Sequence, residues 1–162
     1  MYTEQSLLGK LRDLGIAYDY ISHPAVFTSA EANEVMPSMT GAHCKNLFVK
    51  DRTGRKWLLT IPDDRRADLK IAAGKIGSGR LCFCSADEVS ECLGVSPGSV
   101  TPLAVINDIN NRVDLIVDKT VMDWDIINCH PMINTATISI KSNDFREFIE
   151  YTNHNLTVME IV

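Results

Sequence analysis

The chain has 162 residues, 45% of them hydrophobic and 23% charged, and carries a formal net charge of −5. These values fit one globular domain that buries roughly two-thirds of its unfolded surface; they exclude a disordered tail protein and a coiled coil, and the charge argues against a broad non-specific nucleic-acid binder while leaving room for a local basic patch. Apolar runs such as Leu103-Ala104-Val105-Ile106 are far too short to cross a bilayer, and Met1-Tyr2-Thr3-Glu4-Gln5 lacks the basic start and apolar core of a signal peptide, so a cytoplasmic protein without a membrane partner is expected.

Leu7, Leu8, Leu11 and Leu14 recur at helical spacing after Thr3, and Gly15 is placed to end that helix. Residues 17–22 read as a short strand, after which His23-Pro24 turns the chain. Thr28-Ser29-Ala30-Glu31 is a capping box that opens a helix stopping before Pro37. Residues 38–43 read as a loop. The strand that starts near Lys45 ends at the turn Asp51-Arg52-Thr53-Gly54, and residues 57–61 return as its hairpin partner.

Helical character follows over residues 66–76, weakened by Gly74, and a strand is expected at 81–84. Ser85-Ala86-Asp87-Glu88 is a second capping box, for a helix closed by Gly94. Further strands are expected at 103–106, 112–117 and 135–140, then a helix from Ser142 or Asn143 through Tyr151, and a last strand at 157–161. Hairpin-joined strands with interspersed helices argue for an α+β domain spanning residues 1–162, a mixed, largely antiparallel sheet surrounded by helices.

The five cysteines, Cys44, Cys82, Cys84, Cys92 and Cys129, form no C-x-x-C pair and read as reduced core or strand residues. Cys82 and Cys84 share one strand face, a spacing that more often serves packing than metal binding, so neither a metal nor another cofactor is expected. The chain has no G-x-G-x-x-G after a strand, no phosphate-binding G-x-x-x-x-G-K-[ST], no G-x-S-x-G elbow and no H-E-x-x-H helix. Chemistry here has to proceed without a standard nucleophile.

Lys45-Asn46-Leu47-Phe48-Val49-Lys50 is the most informative segment, because both faces of its strand are apolar while an ammonium and a carboxamide sit at its entrance. An unpartnered buried cation costs several kcal/mol, so Lys45 either reaches water along an apolar stem or meets an anionic or dipolar ligand. Two other segments precede strands: Pro97-Gly98-Ser99-Val100-Thr101-Pro102 and His130-Pro131-Met132-Ile133-Asn134-Thr135. If the sheet gathers the three, Gly98 and Ser99 offer backbone N–H groups to an oxyanion, Lys45 holds a carbonyl or phosphate, Asn46 orients a hydroxyl, and His130 binds an amine or positions water. Each also has a plain structural reading, as a strand start or a turn cap.

In their order, Thr28-Ser29-Ala30-Glu31-Ala32, Lys45-Asn46-Leu47-Phe48, Gly98-Ser99-Val100-Thr101-Pro102 and His130-Pro131-Met132-Ile133-Asn134-Thr135 resemble the YbaK/ProX family of trans-editing aminoacyl-tRNA deacylases, related to the insertion domain of prolyl-tRNA synthetase. The resemblance covers nearly the whole chain, and Lys-Asn in place of Lys-Thr is similar to the branch that removes alanine from proline-specific tRNA. It implies Lys45 as the essential residue, with Asn46, the Gly98-Ser99 turn and His130 around the aminoacyl ester. Phe48, Thr101, Pro102, Met132, Ile133 and Asn134 would line the substrate pocket, and Lys50 and Arg80 would contact the tRNA. It implies no thiol chemistry. The implied partners are mischarged tRNA, through its acceptor end, and prolyl-tRNA synthetase as a further candidate. Deacylation of cysteinyl, seryl or threonyl esters and non-catalytic binding of an aminoacyl end remain alternatives.

Overall fold

The structure, a computed structural model, describes residues 1–25 and 39–162. The capping box at 28–31 and the helix expected after it lie outside the described residues. Five α-helices are described, α1 (Glu4–Asp13), α2 (Leu69–Ile76), α3 (Ala86–Leu93), α4 (Lys119–Met122) and α5 (Ser142–Tyr151). They surround an eight-stranded sheet of β1 (Tyr18–Ser22), β2 (Ala42–Lys50), β3 (Lys56–Pro62), β4 (Cys82–Phe83), β5 (Val113–Asp118), β6 (Ile126–Cys129), β7 (Ala136–Lys141) and β8 (Leu156–Met159). The sheet order is β1-β7-β6-β2-β3-β5-β8, with β4 set against β2.

The mixed α+β sheet expected from sequence is present. The pairs β1–β7, β7–β6, β2–β3 and β2–β4 are antiparallel, whereas β2–β6, β3–β5 and β5–β8 are parallel. Strand periodicity divides the apolar residues between two cores. Phe48, Leu58, Leu115, Val117, Ile127 and Ile138 face the larger one, covered by α1, α3 and α5 through Leu7, Leu93 and Phe145. Val49, Leu59, Ile61 and Ile116 face the smaller one, where Ala72 and Ala73 of α2 pack.

The helix ends follow local rules. Asp68 caps α2 by accepting from Lys70 N and Ile71 N, and Ser85 with Glu88 forms the expected capping box on α3. Gly77 and Gly94 close these two helices in the left-handed region.

Several expectations are corrected. Residues 103–106 are not a strand but part of a fully buried 3₁₀ segment, Pro102–Asn107, opened by Thr101, whose hydroxyl accepts from Leu103 N. An apolar run buried on every side has no periodicity to report, so propensity alone suggested a strand. Ala42 and His43, expected in a loop, already belong to β2, which moves Lys45 from the strand's entrance into its interior. The strand expected at 81–84 shrinks to Cys82–Phe83, and the helix expected from residue 66 starts at Leu69. Strand β6 was not anticipated at all.

Candidate active site

Strand β2 is covered unevenly. On one side β3 pairs with it from Cys44 to Lys50. On the other, β6 reaches only Ala42 and His43, and β4 only Val49 and Lys50. Cys44 to Leu47 therefore have no strand on that edge among the described residues. Gly41 makes the first of these contacts feasible. At φ +101° its Cα lies so close to β6 that a Cβ would stand 2.6 Å from Ile126 O.

The break in pairing falls at Lys45 and Asn46, which alternation sends to opposite faces. The Asn46 amide is bonded through both its oxygen and its nitrogen on the larger-core face. Its Oδ1 accepts from Thr60 Oγ1 at 2.7 Å, and its Nδ2 donates to Val100 O at 3.2 Å. Asn46 thereby ties the Gly98-Ser99-Val100-Thr101 turn to the centre of the sheet, one peptide from Lys45. Expected to orient a hydroxyl, it holds two protein groups instead. Lys45 is half-buried on the other face, beside Leu47, and its charge acts on the Asp63 carboxylate. Burial raises the Asp63 pKa, His43 and Lys45 pull it back, and neighbouring Asp64 adds to the rise.

His130 follows the last residue of β6. The parallel pairing Ala42↔Ile127 and His43↔Asn128 stops two residues short of both Lys45 and His130, and alternation sends Lys45, like His43, and His130, like Asn128, toward the same face. Its Nδ1 lies 3.0 Å from Ala136 O, and because a carbonyl only accepts, Nδ1 carries the proton. Burial is the main cause that pushes the imidazole below its ordinary pKa of 6.5; the Ala136 carbonyl opposes this and His23 reinforces it. A neutral ring with Nδ1–H engaged leaves Nε2 as a lone-pair acceptor. His23 lies beside it, ring centroids 6.3 Å apart, held at Nδ1 by Pro24 O and at Nε2 by Thr137 Oγ1. His23 was read only as a turn residue; the second His-Pro dipeptide was the signal that could have paired it with His130.

The remaining expected site residues divide. Ser99 N–H, expected as an oxyanion donor, donates instead to Ser96 O at 2.9 Å within the 3₁₀ turn Pro97–Ser99. Gly98 stands in the middle of that turn. Thr101 and Pro102 are buried and open the next 3₁₀ segment. Phe48 and Met132, expected as pocket walls, are both sealed in the larger core. Met132 takes φ +68°, an unfavourable conformation for a side chain with a Cβ, and this sharp bend turns the chain between His130 and β7. Ile133 and Asn134 are half-buried on the same bend.

Lys50 lies an odd number of residues from Lys45 and so on the opposite face. Its Nζ is 2.7 Å from Glu88 Oε1, and it lines one cavity with Arg52 and the exposed Arg80. Cys44 packs on the larger-core side near Cys129, and burial pushes the Cys129 thiol up to about 12 and that of Cys44 well above its usual value. Neither supplies a thiolate at neutral pH. Among the described residues, no group of three His, Cys, Asp or Glu side chains is arranged to hold a metal.

Residues 23–148 match the Aminoacyl-tRNA editing domain family. The chain is 31% identical over 162 residues to the prolyl-tRNA editing protein ProX of Acetoanaerobium sticklandii, covering 99% of each. It is 35% identical over 156 residues to the prolyl-tRNA synthetase associated domain-containing protein 1 of Xenopus laevis, covering 93% of this chain and 92% of that one. In fold it is similar to the crystal structure of a candidate trans-editing enzyme for prolyl tRNA synthetase, with TM-score 0.70 at 20% identity, covering 98% of this chain and 97% of that one. With the profile spanning most of its length and these relatives aligned nearly end to end, the chain belongs to the aminoacyl-tRNA editing domain family.

Proposed function

We propose that this chain is a trans-editing hydrolase that cleaves the ester of mischarged aminoacyl-tRNA, with alanine on proline-specific tRNA as its substrate. The observation that carries the reading is an ammonium in the interior of a strand, Lys45, at the point where β6 stops pairing with β2, with a partly buried imidazole, His130, just past the end of β6. Lys45 supplies a positive charge to an ester carbonyl, whose oxygen gains negative charge as water adds. His130 Nε2 accepts a hydrogen bond from the substrate's amino group. Asn46 acts as a positioning residue, through Val100, for the turn that carries Gly98.

Water forms the new bond to the acyl carbon, the bond from that carbon to the ribose oxygen breaks, and the ribose oxygen takes a proton. The products are free amino acid and tRNA with its terminal hydroxyls restored. The neighbouring ribose hydroxyl serves to activate the water, which accounts for a site with no standard nucleophile. Alanine is favoured because a synthetase pocket built for proline loses only about 1–3 kcal/mol when a few methylenes are missing, too little to exclude the smaller residue. A second, smaller pocket rejects proline by size. The Lys45-Asn46 pair and the likeness to a protein named for prolyl-tRNA editing support that choice.

A panel of tRNAs charged with alanine, cysteine, serine, threonine and proline tests the assignment. Alanine should be released fastest and proline not at all, and Lys45→Ala should lower kcat/KM by a factor on the order of 10² to 10³ without unfolding the protein. Faster release of another residue transfers the specificity, and saturable binding with no release from any tRNA makes the domain a binding module.

A further inference from the structure

The rim where β2 begins and β3 ends holds a cavity of about 760 Å³ that the ester chemistry does not use. His43, Asp63, Arg65, Thr120 and Trp124 stand around it. Trp124, just past α4, leaves 53% of its surface exposed, and so presents an indole to whatever enters. Arg65 also borders a second cavity of about 340 Å³, shared with Arg66 and Lys75. The two cavities share Arg65, whose Nη1 donates to Val162 O at 3.1 Å; Trp124 stands at the first, and Arg66 and Lys75 stand at the second beside Asp68.

This surface adjoins the candidate active site by two links. His43 precedes Lys45 by two residues on the same face of β2, and Asp63, at the cavity wall, feels the charge of both. Its chemistry is that of a nucleic-acid end. Although the whole chain is acidic, residues 65–75 carry Arg65, Arg66, Lys70 and Lys75 against one acid, Asp68, whose carboxylate is committed to capping α2. Exposed aromatic rings stack bases of any sequence, and cations beside them track the phosphates. Asp63 and Asp64 keep phosphates away from the aromatic end and offer acceptors to ribose hydroxyls.

We propose that Trp124 stacks the terminal nucleoside of the tRNA acceptor strand and that Arg65, Arg66 and Lys75 hold the phosphates preceding it. The inference rests on the deacylase reading, since it brings the nucleoside that bears the ester beside Lys45. It also sets this rim above the Lys50 and Arg80 cavity as the entry path. That cavity lies at the far end of β2, with Lys50 on the face opposite Lys45 and paired with Glu88.

The test is equilibrium binding of uncharged proline-specific tRNA, intact or lacking its terminal nucleoside. For the unmodified protein, removing the nucleoside should weaken binding about ten-fold. Trp124→Ala should bind both RNAs equally weakly, while Trp124→Phe should restore part of the difference. Arg66→Glu with Lys75→Glu should weaken both RNAs and flatten the dependence on salt. Equal binding of intact RNA by Trp124→Ala and the unmodified protein overturns the proposal. So does a loss that appears with Lys50→Glu and Arg80→Glu but not with Arg66→Glu and Lys75→Glu. Deacylation measured in parallel separates the two readings. Hydrolysis indifferent to Trp124 removes only the surface, whereas nucleoside-dependent binding without hydrolysis of any charged tRNA removes the enzyme and leaves the surface standing.

Discussion

The two halves of the sheet differ in what they show to the side of the smaller core. Across β3 and β5 that face carries Leu59, Ile61 and Ile116, and the opposite face carries Leu58, Leu115 and Val117, so this half is apolar on both sides. Across β6 and β7 only one face is apolar, with Ile127, Cys129, Ile138 and Ile140. The other presents Asn128, Thr137 and Ser139, with His23 and His130 beside them. Apart from His130 Nε2, these polar groups are satisfied internally. Asn128 donates to Thr40 O and Ala42 O and accepts from Ser139 Oγ, and His23 is bonded to Thr137. A satisfied polar face contributes less to stability than an apolar one but holds donors and acceptors in fixed positions, as a binding site needs. Lys45 stands on β2, between the two halves.

Truncation in the apolar half should produce the largest stability change. Leu58→Ala removes a fully buried side chain of β3 from the larger core, and a loss of about 2–5 kcal/mol is expected in urea unfolding. That is a large part of what a domain of this size possesses. A loss below about 1 kcal/mol would mean that this half is not the stabilising one.

Asn46→Ala sharpens the comparison at the junction. It strands the Thr60 hydroxyl and Val100 carbonyl that the amide now satisfies, at a cost of about 1–3 kcal/mol. Because the same amide holds the Gly98 turn, kcat should fall more than KM rises. An unchanged kcat with the expected destabilisation would leave Asn46 a purely structural residue.

How far the sequence disclosed this arrangement depended on periodicity. Strand β3 was legible from the turn Asp51-Arg52-Thr53-Gly54 that returns it against β2, and Ser85 with Glu88 obeys a local capping rule. Residues 103–106 were misread because a segment buried on all sides has the composition of a strand whatever its backbone does. Strand β6, Ile126–Cys129, was missed because it has only four residues and carries Asn128, whose buried amide is satisfied by partners more than eighty residues away. Lys45 and His130 stood out individually, but that β2 and β6 pair just ahead of both depends on a long-range register, which no local pattern encodes. Phe48, expected at the pocket, is sealed in the larger core, and which face of β2 meets that core depends on the helices packed there.

The pH dependence of His130 tests whether its face is tuned for chemistry. Its folded-state pKa lies below the ordinary 6.5, so between those two values the unfolded chain binds more protons and stability rises with pH. The contribution is complete above about 6.5 and is lost as pH falls toward the folded pKa. Activity should follow, because protonation removes the Nε2 lone pair. In His130→Asn the acidic limb of the pH–rate profile should flatten, and an unaltered limb would assign that titration to another group.

The smallest effect is expected at the far end of β2. Glu88 accepts from both Lys50 Nζ and Ser85 N, with the Lys50 bond the leading cause that lowers its pKa from 4.5 to about 2. The sign of that shift makes the pair's contribution complete above 4.5, with loss as pH falls toward 2. Both groups are reached by solvent, so screening reduces the contribution well below what the shift suggests. Glu88→Gln keeps an oxygen for Ser85 N and removes only the charge. Its unfolding midpoint should match that of the unmodified protein in 1 M salt and fall slightly below it at low salt, because the Debye length shortens from about 10 Å at 0.1 M to about 3 Å at 1 M. A large loss persisting in high salt would show that the carboxylate acts through the cap on α3, not through Lys50, and would release Lys50 as a free cation for the RNA.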